Sequence, residues 1–427
     1  MAAKLLRESD SEIVIEITIS KSDNFLECEE NIRQGLNQGG TLATGKCLEE
    51  FDADGSPILV GNQKLTAKRT KVAKKYETPY GVAEVERYAY QSPEGGFVFI
   101  PMETNARILG ASTPLFSKSV SYLYANNNAA VTKSSLEQTT GRVVSRCYIQ
   151  DISAIVSGQV EAKSRHLDYA HCEPDPIDVA SVTIGLDGTC LLFCEEGNRQ
   201  AMVGTIAFYD AAGERLHTNY IAAAPEHGKA TFIQRMDEDI ARIKDKYPNA
   251  RYVGISDGAS DYLPWLKKHT TTQILDFWHV TEYLSEASGA IHRSKKKRTE
   301  WLDESCHQLK HQPGAAADLL GELEEASAKG NLSAANREKL EAALSYFGNN
   351  LERMNYASYR KSKLPIGSGI TEAACKTLVK SRLCGSGMKW RQSGSDAVLT
   401  LRALGLTVSR WQFFWSNLAK NGLTATS

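Results

Sequence analysis

The sequence predicts a mixed α/β protein whose central sheet follows the order β-β-β-α-β-α-β. Three observations predict it. Strand-type runs joined by short connections fill Ser181 to Ala222: SVTIGL, then MVGTIAFY, then Glu214 to Ala222 after the turn Asp210-Ala-Ala-Gly213. Phe232, Met236, Ile240 and Ile243 then recur at helical spacing and stop before Pro248. Finally, RYVGIS from Arg251 and the run Gln273 to Phe277 alternate with a short helix over Tyr262 to His269.

Composition limits the classes open to this chain. Its 427 residues suit about two to four domains, and a 42% hydrophobic content is ample for buried cores. Lys+Arg 50 against Asp+Glu 51 leaves a net charge of -1, so any polyanion site must be a local patch. Nine scattered cysteines without paired close spacing read as reduced thiols of a cytoplasmic protein. The start MAAKLLRESDSE lacks a signal-type apolar core, and no apolar run reaches the roughly 20 residues that span a bilayer, so no membrane partner is expected.

The elements before the sheet follow from local pattern. After a polar start, Asp23 to Phe51 reads as two short helices broken at Gly39-Gly40. Pro57 to Met102 carries short β-runs, which completes a small α+β N-terminal domain over residues 1–105. Its bases Lys64, Lys68, Arg69, Lys71, Lys74 and Lys75 either touch DNA or form a solvated strand face. Three short helices between Ser112 and Gly158, with Gly141 at the second junction, read either as a helix-turn-helix over 106–160 or as an ordinary three-helix unit. In the first reading Arg146 and Gln150 face the groove and Arg142 lies near phosphate. A polar stretch with Pro174 and Pro176 then marks a boundary.

The catalytic domain is expected over 178–279 and 360–405, interrupted by a polar, strand-free helical insertion at 280–359 and followed by a tail at 406–427. Its strand order is that of an RNase H-like core, with the all-α insertion placed before the last helix of that core. Asp187 and Asp257 are each read at a strand end and followed by glycine, and Glu372 opens a helix after Gly367-Ser-Gly369. Taken singly, either strand-end aspartate with its glycine reads as a turn, and Glu372 as a favourable charge at a helix start. Together they can converge, and hard oxygen ligands favour two ions of Mg2+ or Mn2+. Lys376 and Lys380, further along the same helix, would then face a phosphate backbone, and Arg382, Lys389 and Arg391 of the same basic segment are also expected to contact DNA. His279 could donate to phosphate or orient an acid, or simply pack on Trp278.

The segments PIGSGITEAACKTLVKSRLCGSGMKW, ILDFWHVTEYL, YVGISDGASDYLPWL and TPYGVAEVERYAY resemble the DDE transposases of bacterial insertion sequences, most closely the Kra-type insertion-sequence family. The resemblance covers nearly the whole chain. It implies Asp187, Asp257 and Glu372 as a catalytic, metal-binding triad, with Asp276 and His279 matching a D-x-x-H signature. It further implies DNA cleavage at inverted-repeat ends, transfer to target DNA, at least a homodimer during reaction, and a place near the bacterial nucleoid. Similar proteins carry a cysteine pair where this chain has Gln91-Ser-Pro-Glu-Gly-Gly96, so the resemblance does not extend to a zinc site. Two other readings are a transposase-derived DNA-binding regulator and an RNase H-like nuclease that cuts without joining.

Overall fold

The computed structural model describes residues 2–164, 167–329 and 332–424. The chain is a mixed α/β protein that divides into two compact units, Met1–Leu167 with Arg391–Ser427, and Asp168–Trp390.

The first unit opens with a hairpin, β1 (Ala2–Glu8) and β2 (Ile13–Thr18), where the sequence reading had only a polar start. A single helix follows, α1 (Phe25–Glu49), with Asn24 capping its N-terminus. The expected break at Gly39-Gly40 is absent, because these glycines permit close packing instead of ending the helix. A Cβ on Gly39 would lie 2.7 Å from the Ile17 side chain, and one on Gly40 2.5 Å from the Tyr80 ring. This fixes the sign of a test. Alanine normally favours a helix by about 1 kcal/mol over glycine, yet Gly40→Ala should destabilise by about 1–2 kcal/mol in urea unfolding. Gly45→Ala in the same helix, whose Cβ would meet nothing closer than 4.0 Å, should stabilise by about 0.5 kcal/mol.

Six short antiparallel strands come next: β3 (Ile58–Val60), β4 (Gln63–Ala67), β5 (Val72–Glu77), β6 (Val82–Arg87), β7 (Tyr90–Ser92) and β8 (Gly95–Phe99). The helices α2 (Pro101–Asn105), α3 (Pro114–Asn126), α4 (Ala129–Thr140) and α5 (Arg146–Ser164) complete this stretch. Gly141 ends α4 with a left-handed φ of 72°, a conformation glycine adopts without strain.

In the second unit, β9 (Ser181–Phe193), β10 (Gly197–Tyr209) and β11 (Arg215–Ala223) form an antiparallel meander. Helix α6 (Ala230–Lys246) buries Phe232, Met236, Ile240 and Ile243 against it. Then β12 (Arg251–Ser256), α7 (Leu263–His269) and β13 (Thr272–Leu275) close a five-stranded sheet of order β11-β10-β9-β12-β13, in which β12 runs parallel to both its neighbours.

The insertion is helical among its described residues: α8 (Phe277–Ile291), α9 (Lys295–His311), α10 (Ala315–Ala328), α11 (Ala334–Asn350) and α12 (Tyr356–Lys361). Its apolar faces join β12 and β13 in one core through Leu284, Leu319, Leu340 and Phe347. The chain returns to the sheet as α13 (Gly369–Ala374), a π-helical turn Cys375–Lys380, and α14 (Ser381–Leu383).

The last two helices, α15 (Gln392–Leu406) and α16 (Val408–Asn421), belong to the first unit. The sequence reading assigned this stretch to the end of the catalytic domain and a tail. Helix α15 is buried almost all round from Ala397 to Leu404, as suits a helix at the centre of a bundle. Arg402 donates to the Ala125 carbonyl at 2.8 Å, and Thr400 to Glu161 at 3.1 Å. Residues 425–427 of the expected tail lie outside the described residues. Among the described residues no helix is long and apolar enough to cross a membrane.

Candidate active site

Register alone brings three acids into a row. Arg251 pairs with Ser181 and Ile255 with Gly185, so the same offset, carried two residues on, sets Asp257 beside Asp187. Ser256 pairs with Leu275, which sets Asp257 beside Asp276 in the same way. Asp257 follows the end of β12, as expected. Asp187 does not end its strand, because β9 continues to Phe193. Gly188 leaves room for the Gln200 side chain from the neighbouring strand, which would lie 2.2 Å from a Cβ there, so Asp187-Gly188 is a close crossing and no turn.

Glu372 arrives on α13, whose seat on the sheet is set by another glycine. Thr371 accepts or donates a 2.7 Å hydrogen bond with Thr205, and its Oγ1 would lie 2.2 Å from a Cβ on Gly185. The helix therefore lies directly on β9, two residues before Asp187. Ser368 Oγ donates to Glu372 Oε1 at 3.0 Å, while the Ser368 N–H donates to Asp276 Oδ1 at 2.7 Å. Cys375, one turn beyond Glu372, donates its thiol to Asp187 Oδ2 at 3.4 Å. Burial, together with the neighbouring Asp187 carboxylate, keeps that thiol protonated.

These side chains surround one cavity of about 240 Å3, lined by Asp187, Asp257, His279, Glu372, Lys376 and Lys380. The sequence reading named those six. The π-helical turn carries both lysines to the cavity wall; such widened turns recur at functional sites. The tightest group differs from the expected trio: one ligand atom each of Asp276, His279 and Glu372 lie within 4.8 Å of one another. His279, held protonated by Asp276, places a positive charge within that group. Asp187 and Asp257 line the cavity beside His279 and Glu372, while Asp276 is buried and not part of the lining.

Asp276 is fully buried and caps α8, accepting from the His279 N–H at 3.1 Å and from His279 Nδ1 at 2.6 Å. That side-chain bond raises the His279 pKa to about 9 against the pull of burial, and the Asp276 and Asp257 charges add to it. Burial opposes ionisation of Asp276, but hydrogen bonds from His279 and from the Ser368 N–H outweigh it and hold its pKa low. A pH dependence follows. The stability His279 confers is fully present below its unfolded value of about 6.5 and is lost as pH rises through about 9. The gap in urea stability between the parent and His279→Ala, measured without metal, should therefore narrow from pH 6 to pH 9.5.

The residues expected to face DNA divide. Arg146 and Gln150 are exposed on α5, and Lys389 and Arg391 are exposed as well. Arg142 is buried: it donates to the Thr78 carbonyl at 2.9 Å and pairs with Glu77. It is therefore a structural cation of the first unit and cannot reach phosphate. Arg382 is likewise buried, its guanidinium 5.3 Å from the centre of the Trp390 ring. Among the N-terminal bases, Lys71 pairs with Asp52 at 3.0 Å.

The sequence reading missed Ser368, Thr371 and Cys375. The three-residue step from Glu372 to Cys375, one face of a helix, was the available signal for the last. No family model matches the chain, and no curated protein matches it.

Proposed function

We propose that this chain is a DDE-type transposase, a DNA strand-cleaving and strand-joining enzyme built on an RNase H-like core. The observation that carries the proposal is the single cavity in which acids from a central strand, from the end of its parallel neighbour and from a returning helix stand beside two lysines. The sheet order, with a three-stranded meander followed by two parallel strands, is the arrangement that the RNase H-like reading requires.

The donor set fits divalent hard cations. Carboxylate oxygens of Asp187, Asp257 and Glu372 line a cavity with room for ions that keep water, and the lining holds a single, hydrogen-bonded thiol. These three acids would hold Mg2+ or Mn2+, which when bound lowers the pKa of a water or a 3′-hydroxyl and stabilises the leaving oxygen. The chain's own groups do the rest. Lys376 and Lys380 attract and seat the phosphate backbone. His279, kept cationic by Asp276, offers its remaining N–H to a phosphate oxygen. In the first unit, the exposed face of α5 with Arg146 and Gln150 is the surface offered to the inverted repeats.

The test is incubation of the purified protein with labelled DNA carrying the flanking inverted repeat, in Mg2+ or Mn2+. Specific 3′-end nicking and joined products are expected. Nicking without joined products would make the chain a nuclease, and specific binding without cutting in either metal would make it a regulator.

A further inference from the structure

The helical insertion reaches the candidate site from behind. Tyr346, on α11, donates its hydroxyl to the backbone carbonyl of Asp257 at 2.8 Å. Its ring occupies the space beside Gly258, where a Cβ would lie 2.8 Å from Tyr346 Cε2, and Gly258 itself has a φ of 101°. Within that loop Asp257 Oδ1 accepts from the Ala259 N–H at 3.0 Å, so the carboxylate's direction is set by the loop's backbone. Tyr346 in turn stacks on Tyr283 of α8, with ring centres 3.9 Å apart and planes 15° apart. Two further bonds grip the adjoining backbone and side chain: Arg353 donates to Ser256 Oγ at 3.0 Å, and Tyr356 to the Leu275 carbonyl at 3.0 Å.

We propose that Tyr346 is a positioning residue for Asp257, through which the helical insertion sets the geometry of the acid site. The inference rests on the proposed function for what Asp257 does, and on the hydrogen bonds above for how it is held. Groups that orient a metal-binding carboxylate typically cost tenfold or more in metal affinity when removed. A residue that only filled space would show no such effect when its ring is kept.

Tyr346→Phe keeps the ring against Gly258 and Tyr283 and removes only the hydroxyl. Calorimetric titration of the full chain with Mn2+ should show affinity about tenfold weaker than the parent. Nicking of inverted-repeat DNA should fall in kcat by a similar factor with KM for DNA unchanged, and should recover as Mn2+ is raised. Equal Mn2+ affinity in the two proteins would overturn the positioning role while leaving the proposed function standing. Weaker Mn2+ binding by the variant, with no nicking by either protein, would support the role and overturn the proposed strand-cleaving function. A parent that binds no Mn2+ would overturn both.

Discussion

Glu372→Gln is expected to give a folded protein whose nicking of inverted-repeat DNA is at least about a thousandfold below the parent, about 4 kcal/mol of barrier. The substitution is chosen to isolate charge. Glutamine keeps the side-chain length and an oxygen that can accept from Ser368 Oγ, so α13 keeps its seat on β9 through Thr371 and Thr205. What disappears is the negative charge beside His279, Lys376 and Lys380, and with it one of the three carboxylates proposed to hold divalent ions. Asp187→Asn and Asp257→Asn should behave alike. A thermal midpoint near the parent's, together with lost nicking, assigns the loss to chemistry. Full activity in any one of the three removes that acid from the triad.

Glycines show where sequence reading reaches its limit. Gly39-Gly40 was read as a helix break, and Gly188 and Gly258 as letting the backbone approach a bound group or as turns; of the four, only Gly258 has the positive φ that a turn reading requires. The others make room for Ile17, Tyr80 and Gln200, side chains 12 to 40 residues away in sequence, and nothing in the local pattern announces those neighbours. Arginines failed for the same reason. Arg142 looked available for phosphate until Glu77, on β5, took its charge, and Arg382 lies under Trp390.

Periodicity did better, because it records burial directly. The four residues whose spacing predicted α6 are the four it buries, and the alternation of β12, α7 and β13 put Asp257 at a strand end. Asp187 was located correctly in the sheet yet misread as terminal, since a strand of thirteen residues crossing an Asp-Gly pair departs from ordinary strand length. The convergence on one cavity was legible only as a set of elements. Its support by Ser368, Thr371, Cys375 and Tyr346 depends on contacts between segments far apart in the chain.

Asp276→Ala should cost about 3 kcal/mol in urea unfolding and disable the site as well. The carboxylate is buried and accepts three hydrogen bonds, from the Ser368 N–H, the His279 N–H and His279 Nδ1. Alanine leaves α8 without its cap, worth about 1 kcal/mol, leaves the Ser368 N–H without its acceptor, and removes the carboxylate that stabilises the charged imidazole. Asp276→Asn separates the two contributions, because its one amide oxygen can still cap α8 while the charge that holds His279 protonated is gone and the amide nitrogen, a donor, now faces the Ser368 N–H. In that variant the His279 pKa, followed by NMR, should fall from about 9 towards 6.5, and stability should drop by less than in the alanine variant. Nicking near pH 8 should then weaken in both variants, because a neutral His279 is a poorer donor to phosphate and Ser368 no longer holds the approach to Glu372 as firmly. An unchanged His279 pKa in Asp276→Asn would mean that Asp257 and Glu282, the other charges acting on the imidazole, maintain its protonation without Asp276.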